Sequence, residues 1–492
     1  MTDLTVTLAW LAVVLPIGVA LLAQLATSAR AADRVSCAGA VLTAAAAGTL
    51  SALALARSGQ PVTSGPVVVD AAGGVFLAAI AAVGLLSALV SPVYLDGKER
   101  SFFAPARARR WYYLGFHLFW AALLAIPLAS NLGLAWLLIE ATTAASALLV
   151  AFSGRRSALE AGWKYLVLTT LGLTVALLGI VILYAASPGK GGLGALGWHA
   201  LERGAPGVPH GTAVVAFVLL LAGLATKVGW APVHNWLPDA HSEAPPPVSA
   251  LLSSALLPAV ALVAWRTKVA LEPAVGGGTE RSLFLGFGLA SLAVAVPFLW
   301  RRLAWKRLLA YSSLEHMGVI ALGIGFGSPL AIAGVVLHVA GHALAKALGF
   351  YAAIPLLRLQ PQAASRPARG VGRASPATAG AMGISLGSLA GLPPSPLFFS
   401  ELFVLLGGFL SGHAAVAAVA AVLLALGFLG LAHAALESLL GRPRGARPPE
   451  ARSVRQTRVL ALVLGAALLA LSLLAYALPG SAPVDAIVRW AA

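Results

Sequence analysis

The residues of this sequence that could do chemistry are concentrated in one stretch of an otherwise apolar chain. Residues 224–260 read LATKVGWAPVHNWLPDAHSEAPPPVSALLSSALLPAV. The ionisable side chains in this stretch are Lys227, His234, Asp239, His241 and Glu243. Charged side chains at membrane depth are costly and tend to line polar paths. Proline-broken helices occur there only where the freed backbone is buried in protein or faces water. The stretch therefore predicts a pathway for an ion.

A carboxylate and a lysine are predicted to act as a pair. Glu140 lies near the middle of the apolar segment NLGLAWLLIEATTAASALLVAF, where an isolated ionised carboxylate is expensive. Its natural partner is Lys227, which precedes the prolines Pro232 and Pro238. Burial disfavours a charged lysine and a neighbouring carboxylate favours it, so a pair that opens and closes changes the proton affinity of the lysine. The structural alternative is a Glu140 carboxyl that is kept protonated or paired without moving protons.

Two histidines and a lysine share one helix face in the segment VVLHVAGHALAKALGF. His338, His342 and Lys346 are spaced four residues apart, which places them on the same side of a helix. Histidines at this spacing can bind a metal, but no carboxylate or cysteine accompanies them and Lys346 would repel a cation. A proton relay is favoured because histidine titrates nearest neutral pH. A hydrogen-bonded core histidine is the structural alternative.

A second proline-rich break precedes another carboxylate. In AGLPPSPLFFSELFVLLGGF, the prolines Pro393, Pro394 and Pro396 lie ahead of Glu401. Transporter folds often place such breaks at corresponding positions of two inverted repeats, with the ion path at the interface of the repeats.

Other ionisable residues have two interpretations each. Lys268 either lies between the two centres or extends to the outer membrane interface beside Arg266. Glu315 and His316, in AYSSLEHMG, either take up protons from the cytoplasm or form an ion pair near the start of a helix. The remaining candidates for cytoplasmic proton uptake are Asp239, His241 and Glu243.

Composition indicates that membrane helices position these residues. Of 492 residues, 59% are hydrophobic and 10% are charged, whereas soluble domains carry roughly 25% charged residues. Apolar runs of about 20 residues predict an all-α polytopic membrane protein with about fourteen transmembrane helices. The runs lie at about 4–27, 34–57, 69–95, 111–129, 131–152, 160–186, 212–232, 246–268, 282–300, 308–327, 329–357, 376–411, 414–438 and 456–479. The single cysteine, Cys37, excludes an intrachain disulfide.

The net charge of +16 follows the sides of a membrane rather than forming a nucleic-acid-binding patch. Basic residues concentrate in alternate loops, at 30–34, 98–110, 155–156, 301–307, 358–373 and 442–455. The opposite loops contain little beyond Arg57, Lys190, Arg203 and Arg489. The positive-inside rule places the basic loops in the cytoplasm and both termini outside, in a multi-pass protein of the inner membrane.

Redox and nucleotide chemistry are predicted to lie on other chains. The connecting loops are short, and they contain no glycine-rich phosphate loop, cysteine cluster or HExxH motif. The chain is therefore interpreted as a membrane module with no cofactor, metal site or catalytic residue of its own.

Four motifs resemble the antiporter-like membrane subunits shared by respiratory complex I, multisubunit cation/proton antiporters and membrane-bound group 4 hydrogenases. They are IEATT, TKVGWAPVHNWLPDAHSEAPPPVSALLS, YSSLEHMG and HVAGHALAKAL. The resemblance covers about Trp111 to Leu440. Within this family, YSSLEHMG, TKVGWAPVHNWLPDAHSEAP and GLPPSPLFFSE look most like component F of hydrogenase-4 and formate hydrogenlyase-type complexes. Complex I subunits more often carry an uncharged residue where Glu315 stands.

The resemblance implies two inverted five-helix repeats, in which helices 7 and 12 are broken. The implied domains are 1–110 (helices 1–3 and a loop), 111–268 (helices 4–8), 269–440 (helices 9–13) and 441–492 (a loop and helix 14). Glu140 matches the glutamate of helix 5, Lys227 the lysine of helix 7, and Lys268 stands where a helix-8 lysine or histidine is expected. Glu401 matches the functional position of helix 12. The connecting polar axis is matched by His338, His342 and Lys346.

The implied function is proton translocation by a subunit of a redox-driven complex of the group 4 hydrogenase or complex I kind. Separation of Glu140 from Lys227 would release a proton along Lys268 or the histidines toward Glu401. The implied partners are other antiporter-like and small membrane subunits and a cytoplasmic redox arm. In a hydrogenase-like complex the partners would carry a [NiFe] centre and iron–sulfur clusters.

Three alternatives stay open. The chain could belong to a multisubunit antiporter that exchanges Na⁺ for protons. It could also be the membrane subunit of an energy-coupled inorganic-carbon uptake complex with a zinc-bearing partner. A scaffold that only anchors a soluble arm is the third, but such a scaffold has no need of the buried charges.

Overall fold

The computed structural model describes residues 2–57, 61–96, 105–187, 192–443, 445, 447–448 and 450–491. Four of the basic residues used to predict the orientation, Lys98, Arg100, Lys190 and Arg444, lie outside the described residues. Helices make up most of the described chain, as the composition predicted.

The N-terminal part consists of three long helices and a β-hairpin, namely α1 (Thr2–Gln24), α2 (Ala29–Ala56), β1 (Val62–Ser64), β2 (Val67–Val69) and α3 (Ala71–Leu95). The helices that follow are α4 (Pro105–Ala125), α5 (Leu132–Val150), α6 (Arg156–Ala186), α7 (Trp198–Gly204), α8 (His210–Val228), α9 (Leu237–Glu243), α10 (Pro246–Leu251) and α11 (Leu257–Val275). A π-helical turn, Leu252–Leu256, joins α10 to α11. The last part contains α12 (Gly277–Leu299), α13 (Trp305–Phe326), α14 (Pro329–Leu359), α15 (Val371–Ala374), α16 (Pro376–Leu389), α17 (Pro396–Leu410), α18 (Ala414–Leu439), α19 (Ala451–Leu474) and α20 (Ala482–Ala491).

The prediction of about fourteen membrane crossings is confirmed. Thirteen helices within the described chain are long and apolar enough to cross a membrane, with α10, the π-helical turn and α11 counted as one. The helices α16 and α17, which residues 390–395 separate, are shorter and are not among these thirteen. The hairpin and the short helices α7 and α20 were not predicted. The division expected at residue 268 falls inside α11, and the repeat arrangement stays a prediction.

The first break separates α8 from α9 by residues 229–236. Gly229 ends α8 in the left-handed region, at a φ of +79°, which glycine adopts without strain. The indole of Trp236 donates to the Thr226 carbonyl at 2.6 Å, and the indole of Trp230 donates to the Met317 carbonyl at 2.7 Å. The Ala231 amide donates to Ser291 Oγ at 3.0 Å. Backbone groups freed by the break are thus bonded within the protein, as a break at membrane depth requires.

The second break is built from a similar set of residues. Gly391 follows α16 at a φ of +69°, and Ser395 caps α17 by accepting the Phe398 amide at 3.2 Å. Pro396 occupies the first position of α17, where a missing backbone amide costs nothing. Both proline-rich segments therefore end one helix and start another, as their sequences predicted.

Close helix contacts hold the frame around the first break. The α6 and α8 helices approach each other at Gly179 and Gly223, where backbone packs against backbone. A Cβ atom at Gly179 would lie 2.7 Å from the Ala216 carbonyl oxygen, and one at Gly223 would overlap with Gly172 and Ala176. Small residues at such contacts allow membrane helices to pack by van der Waals contact.

We expect Gly223→Leu to force α6 and α8 apart and to lower the free energy of unfolding by about 1–3 kcal/mol, the usual cost of overpacking. The check is the melting temperature of the purified protein in mild detergent. Gly211→Ala is the matched control, because a Cβ at Gly211 of the same helix meets no atom within 4 Å. Equal melting temperatures for the two variants would contradict the assigned contact.

Candidate functional site

Glu140 lies on α5 in a half-buried position and is bonded by two threonines. Thr170 of α6 donates to Glu140 Oε1 at 2.8 Å, and Thr143, one turn along α5, donates to Oε2 at 3.4 Å. The carboxylate therefore sits at the edge of the α5–α6 contact, where its remaining surface is accessible from outside the chain.

Lys227 is completely buried near the end of α8. Its ammonium donates to Thr143 Oγ1 at 2.6 Å and to the Tyr165 hydroxyl at 2.7 Å, and it lies 4.4 Å from the centre of the Tyr165 ring. The Tyr165 hydroxyl is bonded in turn to Ser146 Oγ at 2.8 Å. Within the described residues Lys227 forms no ion pair within 4.0 Å. Glu140 acts on it electrostatically across the Thr143 hydroxyl.

The predicted pair is therefore joined by a hydroxyl rather than by direct contact. Thr143 accepts from Lys227 and lies within donor distance of Glu140, so one side chain contacts both charges. Thr143 is the last residue of the IEATT motif, and no role was predicted for it. A threonine one turn after a buried carboxylate was the signal that could have identified it.

The polar residues after the first break separate into a surface group and a buried one. Asp239 pairs with Arg307 at 2.9 Å and with Lys164 at 3.5 Å, and Glu243 pairs with Arg155 at 3.3 Å. These pairs place both carboxylates among basic side chains on the side that was predicted to be cytoplasmic. His234 is half-buried within the break, and its Nδ1 is buried without a hydrogen-bond partner in the described structure.

His241 is fully buried between aromatic rings of the two halves. Its ring centre lies 6.0 Å from that of Trp236 and 6.1 Å from that of Phe350 on α14. Trp236 lies 4.9 Å from Tyr165, which holds Lys227. The His241 imidazole therefore lies between the aromatic ring that packs on Tyr165 and the helix that carries the histidines.

The histidines of α14 form a connected cluster with His316 of α13. His316 Nδ1 and His338 Nε2 lie 3.2 Å apart, and His338 Nδ1 is bonded to Ser400 Oγ of α17 at 2.9 Å. His342 Nε2 lies 3.4 Å from the Ser253 carbonyl. All three imidazoles are fully buried. The sequence placed His316 at a cytoplasmic position, whereas the structure brings it into the histidine cluster.

The three histidines are close enough together to bind a metal ion, but a lysine lies near them. One nitrogen from each of His316, His338 and His342 lies within 4.8 Å of the others. Lys346 acts electrostatically on all three rings, which would repel a cation. Lys346 itself donates to the Leu309 carbonyl at 2.6 Å and to Ser312 Oγ. The direct imidazole–imidazole and imidazole–hydroxyl contacts favour proton transfer, since each of these groups both donates and accepts.

Two carboxylates lie beside this cluster. Glu315 is buried on α13, ten residues after its first residue Trp305, with Oε2 lacking a described partner. Glu401 is on α17, with its carboxylate against Gly391 of the second break, where a Cβ would lie 2.8 Å from Oε2. Each is close enough to the other to interact electrostatically.

Lys268 lies apart from both clusters. It pairs with Glu272 at 2.9 Å in the last turns of α11, and Glu280 at the start of α12 interacts with it electrostatically. Arg266, its neighbour, pairs with Asp70 at 2.6 Å. Within the described chain, no ion pair or hydrogen bond joins Lys268 to Lys227 or to the histidines.

The segment between the two clusters is instead the π-helical turn. Ser253 Oγ is bonded to Ser313 Oγ of α13 at 2.8 Å, and Ser254 Oγ is buried without a described partner. π-Helical turns often occur at functional sites. These serines were not predicted as site residues, although the apolar run LLSSALL contains two adjacent hydroxyls.

Comparisons with known proteins show the family of the chain. Residues 129–427 match the family described as NADH:quinone oxidoreductase/Mrp antiporter, TM. A hydrogenase-4 component F homologue from Methylacidiphilum infernorum is 33% identical over 385 residues, which cover 77% of this chain and 80% of the relative. NADH-quinone oxidoreductase subunit N from Desulforudis audaxviator is 31% identical over 446 residues, 85% of each chain.

A solved structure shows the same fold. A chain in the structure of the Mrp complex from a Dietzia species superposes with a TM-score of 0.85 at 21% identity, over 100% of both chains. The matched region contains both broken helices and ends within α18. It includes Glu140, Lys227 and Glu401. The chain is therefore a multi-pass membrane protein that belongs to the NADH:quinone oxidoreductase/Mrp antiporter family of antiporter-like membrane subunits.

Proposed function

We propose that this chain translocates protons as a membrane subunit of a redox-driven complex of the group 4 [NiFe]-hydrogenase, formate hydrogenlyase or complex I kind. The observation that carries the proposal is the buried Lys227, held by two neutral hydroxyls with the Glu140 carboxylate beyond one of them. A buried ammonium without a direct counter-charge is sensitive to the position of the nearest carboxylate.

Glu140 is the control point of the proposed cycle. It is half-buried at the α5–α6 edge, so a neighbouring subunit can change its surroundings. While Glu140 stays near Thr143, its charge favours the protonated form of Lys227. When Glu140 turns away, Lys227 loses this stabilisation and releases its proton into the chain.

The histidines supply the proposed route onward. The Tyr165–Trp236–His241 ring contacts lead from Lys227 toward α14, and the His241 imidazole is the group among them that would take up the proton, since an indole only donates. From there the route continues through the cluster of His316, His338 and His342 to Ser400 and Glu401. The proposed route passes through the histidines and not through Lys268, because the Lys268 ammonium is paired with the Glu272 carboxylate. Glu401 then releases the proton to the outer side.

The assembly is proposed from the relatives. A hydrogenase-4 component F homologue and an NADH-quinone oxidoreductase subunit N are both named for redox complexes. The redox centres are placed on partner subunits, as a [NiFe] centre and iron–sulfur clusters in the hydrogenase case. The basic loops would face the cytoplasm and a peripheral redox arm, with both termini outside. The inverted repeats 111–268 and 269–440 would each contain one broken helix.

Identification of the partners tests this assignment. The tagged chain is purified in mild detergent, its partners are identified by mass spectrometry and bound metals are assayed. Nickel with iron–sulfur subunits supports the hydrogenase type, and iron without nickel supports the complex I type. Small membrane partners without redox subunits would indicate a cation/proton antiporter instead. A single zinc-bearing soluble partner would indicate inorganic-carbon uptake.

We expect Glu140→Gln and Lys227→Ala to abolish coupled proton translocation while the complex stays assembled. The first removes the charge that acts on Lys227, and the second removes the proton carrier itself. Dye-monitored proton uptake by inverted membrane vesicles is compared with the electron-transfer rate of the same vesicles. Glu160→Gln is the control, since Glu160 is an exposed carboxylate on α6 that pairs with Lys164. Normal proton uptake in either variant would refute the proposed cycle.

Thr143→Val tests the hydroxyl that joins the pair. The variant removes one of the two acceptors of Lys227, and a hydrogen bond to a charged group is worth about 1.5–3 kcal/mol. A loss of that size corresponds to a decrease of about tenfold or more in the translocation rate. Thr143→Ser should retain translocation. Thr142→Val is the matched control, because the Thr142 hydroxyl donates to the carbonyl of Ile139 on its own helix.

A further inference from the structure

Glu315 is a buried carboxylate that the proposed route does not use. It is 3% exposed and lies at mid-length of α13, which is a helix buried along almost all of its length. Its Oε2 has no hydrogen-bond partner among the described residues, and no described ion pair within 4.0 Å includes it. An ionised carboxylate in such surroundings is expensive. A purely structural role therefore leaves its presence unexplained.

The carboxylate of Glu315 packs against α18 at Gly427, a position without a side chain. A Cβ atom at Gly427 would overlap with Glu315 Oε1, so a side chain at position 427 would displace the carboxylate. The neighbouring Gly430 of α18 packs instead against Leu299 of α12, where a Cβ would lie 3.1 Å from the backbone. Gly427 therefore forms a notch for Glu315, whereas Gly430 serves the contact between helices.

Charged groups reach Glu315 from two other helices. Lys346 of α14 interacts with it electrostatically, and so does Glu401 of α17. His316, the next residue on α13, points into the cluster with His338 and His342. Glu315 thus interacts electrostatically both with the lysine that borders the histidines and with the carboxylate at the second break.

The order of the helices gives Glu315 a counterpart in the first half. Glu140 lies on α5, which is followed by the long helix α6 and then by the broken pair α8 and α9. Glu315 lies on α13, which is followed by the long helix α14 and then by the broken pair α16 and α17. In each half a mid-helix carboxylate interacts electrostatically with a buried lysine, Lys227 in the first and Lys346 in the second.

We propose that Glu315 is a second proton-binding residue of the pathway and shares one proton with Glu401 at the outward-release step. This inference rests on the proposed function. Two carboxylates that interact electrostatically in apolar surroundings repel when both are ionised, so the pair retains a proton. A proton that leaves the Lys346 ammonium binds the ionised member of the pair, and the other member then releases its proton outward. One N–H bond of Lys346 breaks as one O–H bond forms, and the O–H bond of the other member breaks on release. The pair then has its original charge, and the neutral Lys346 takes up the next proton from the histidines.

Glu315→Gln is the first test, in the complete complex purified through this chain and reconstituted in liposomes. Glutamine keeps the shape but cannot bind or release a proton. We expect translocation to fall by about a hundredfold, the lower range of what loss of a positioned acid–base group costs. Electron transfer should continue, so the number of protons moved per electron falls. Glu315→Asp should restore part of that number, which a residue required only for packing would not do.

A pair of α18 variants keeps the test valid if Glu315→Gln fails to assemble. Gly427→Ala displaces the carboxylate and should reduce the protons moved per electron several-fold. Gly430→Ala crowds the α12 contact without reaching Glu315 and should leave that number unchanged. Equal values for the two variants would overturn the proposal.

The outcomes separate this inference from the function on which it rests. Loss of translocation in both Glu140→Gln and Glu315→Gln, with rescue by Glu315→Asp, supports both. Loss in Glu140→Gln with normal translocation in Glu315→Gln overturns the role of Glu315 and leaves the proposed function intact. Normal translocation in both variants overturns the proposed function and the inference with it.

Discussion

The interaction on which the site depends is the stabilisation of one buried ammonium, that of Lys227, by groups that are not its direct counter-ion. A lysine in contact with a carboxylate would be locked in its charged form, and a lysine without any polar contact would be neutral. Lys227 is intermediate between these two cases, because its ammonium donates hydrogen bonds to the neutral hydroxyls of Thr143 and Tyr165. They solvate the charge, while the Glu140 carboxylate one hydroxyl away favours the protonated form against the cost of burial.

The broken helices follow from the same requirement. Lys227 lies two residues before Gly229, so the end of α8 places its carbonyl groups and its side chain in one polar region. Glu401 lies against Gly391 of the second break. At each break the freed backbone is bonded by tryptophan indoles or serine hydroxyls, which keeps the polar region inside the protein. The fully buried helices α10, α11 and α13 separate the two regions and carry the serines and His316 between them.

The helices and breaks were predictable because they depend on local sequence. Apolar runs define the crossings, and the prolines near 232 and 394 define the interruptions. The spacing of His338, His342 and Lys346 also placed them correctly on one helix. The partners of these residues were not predictable in the same way. Gly427 contacts Glu315 although the two residues are more than 100 positions apart in the sequence. Lys268 pairs with Glu272, a residue of its own helix. Such choices depend on how helices pack, which periodicity does not encode.

The two buried lysines, Lys227 and Lys346, differ in the groups that accept their hydrogen bonds. Lys227 is bonded to two hydroxyls, which can rotate and pass a proton on. Lys346 donates to the Leu309 carbonyl as well as to Ser312, and a carbonyl only accepts. In the proposed route Lys227 thus has two hydroxyl partners for its proton, whereas Lys346 has one, Ser312. The imidazoles and the Glu315 carboxylate are the other groups that act on Lys346 electrostatically.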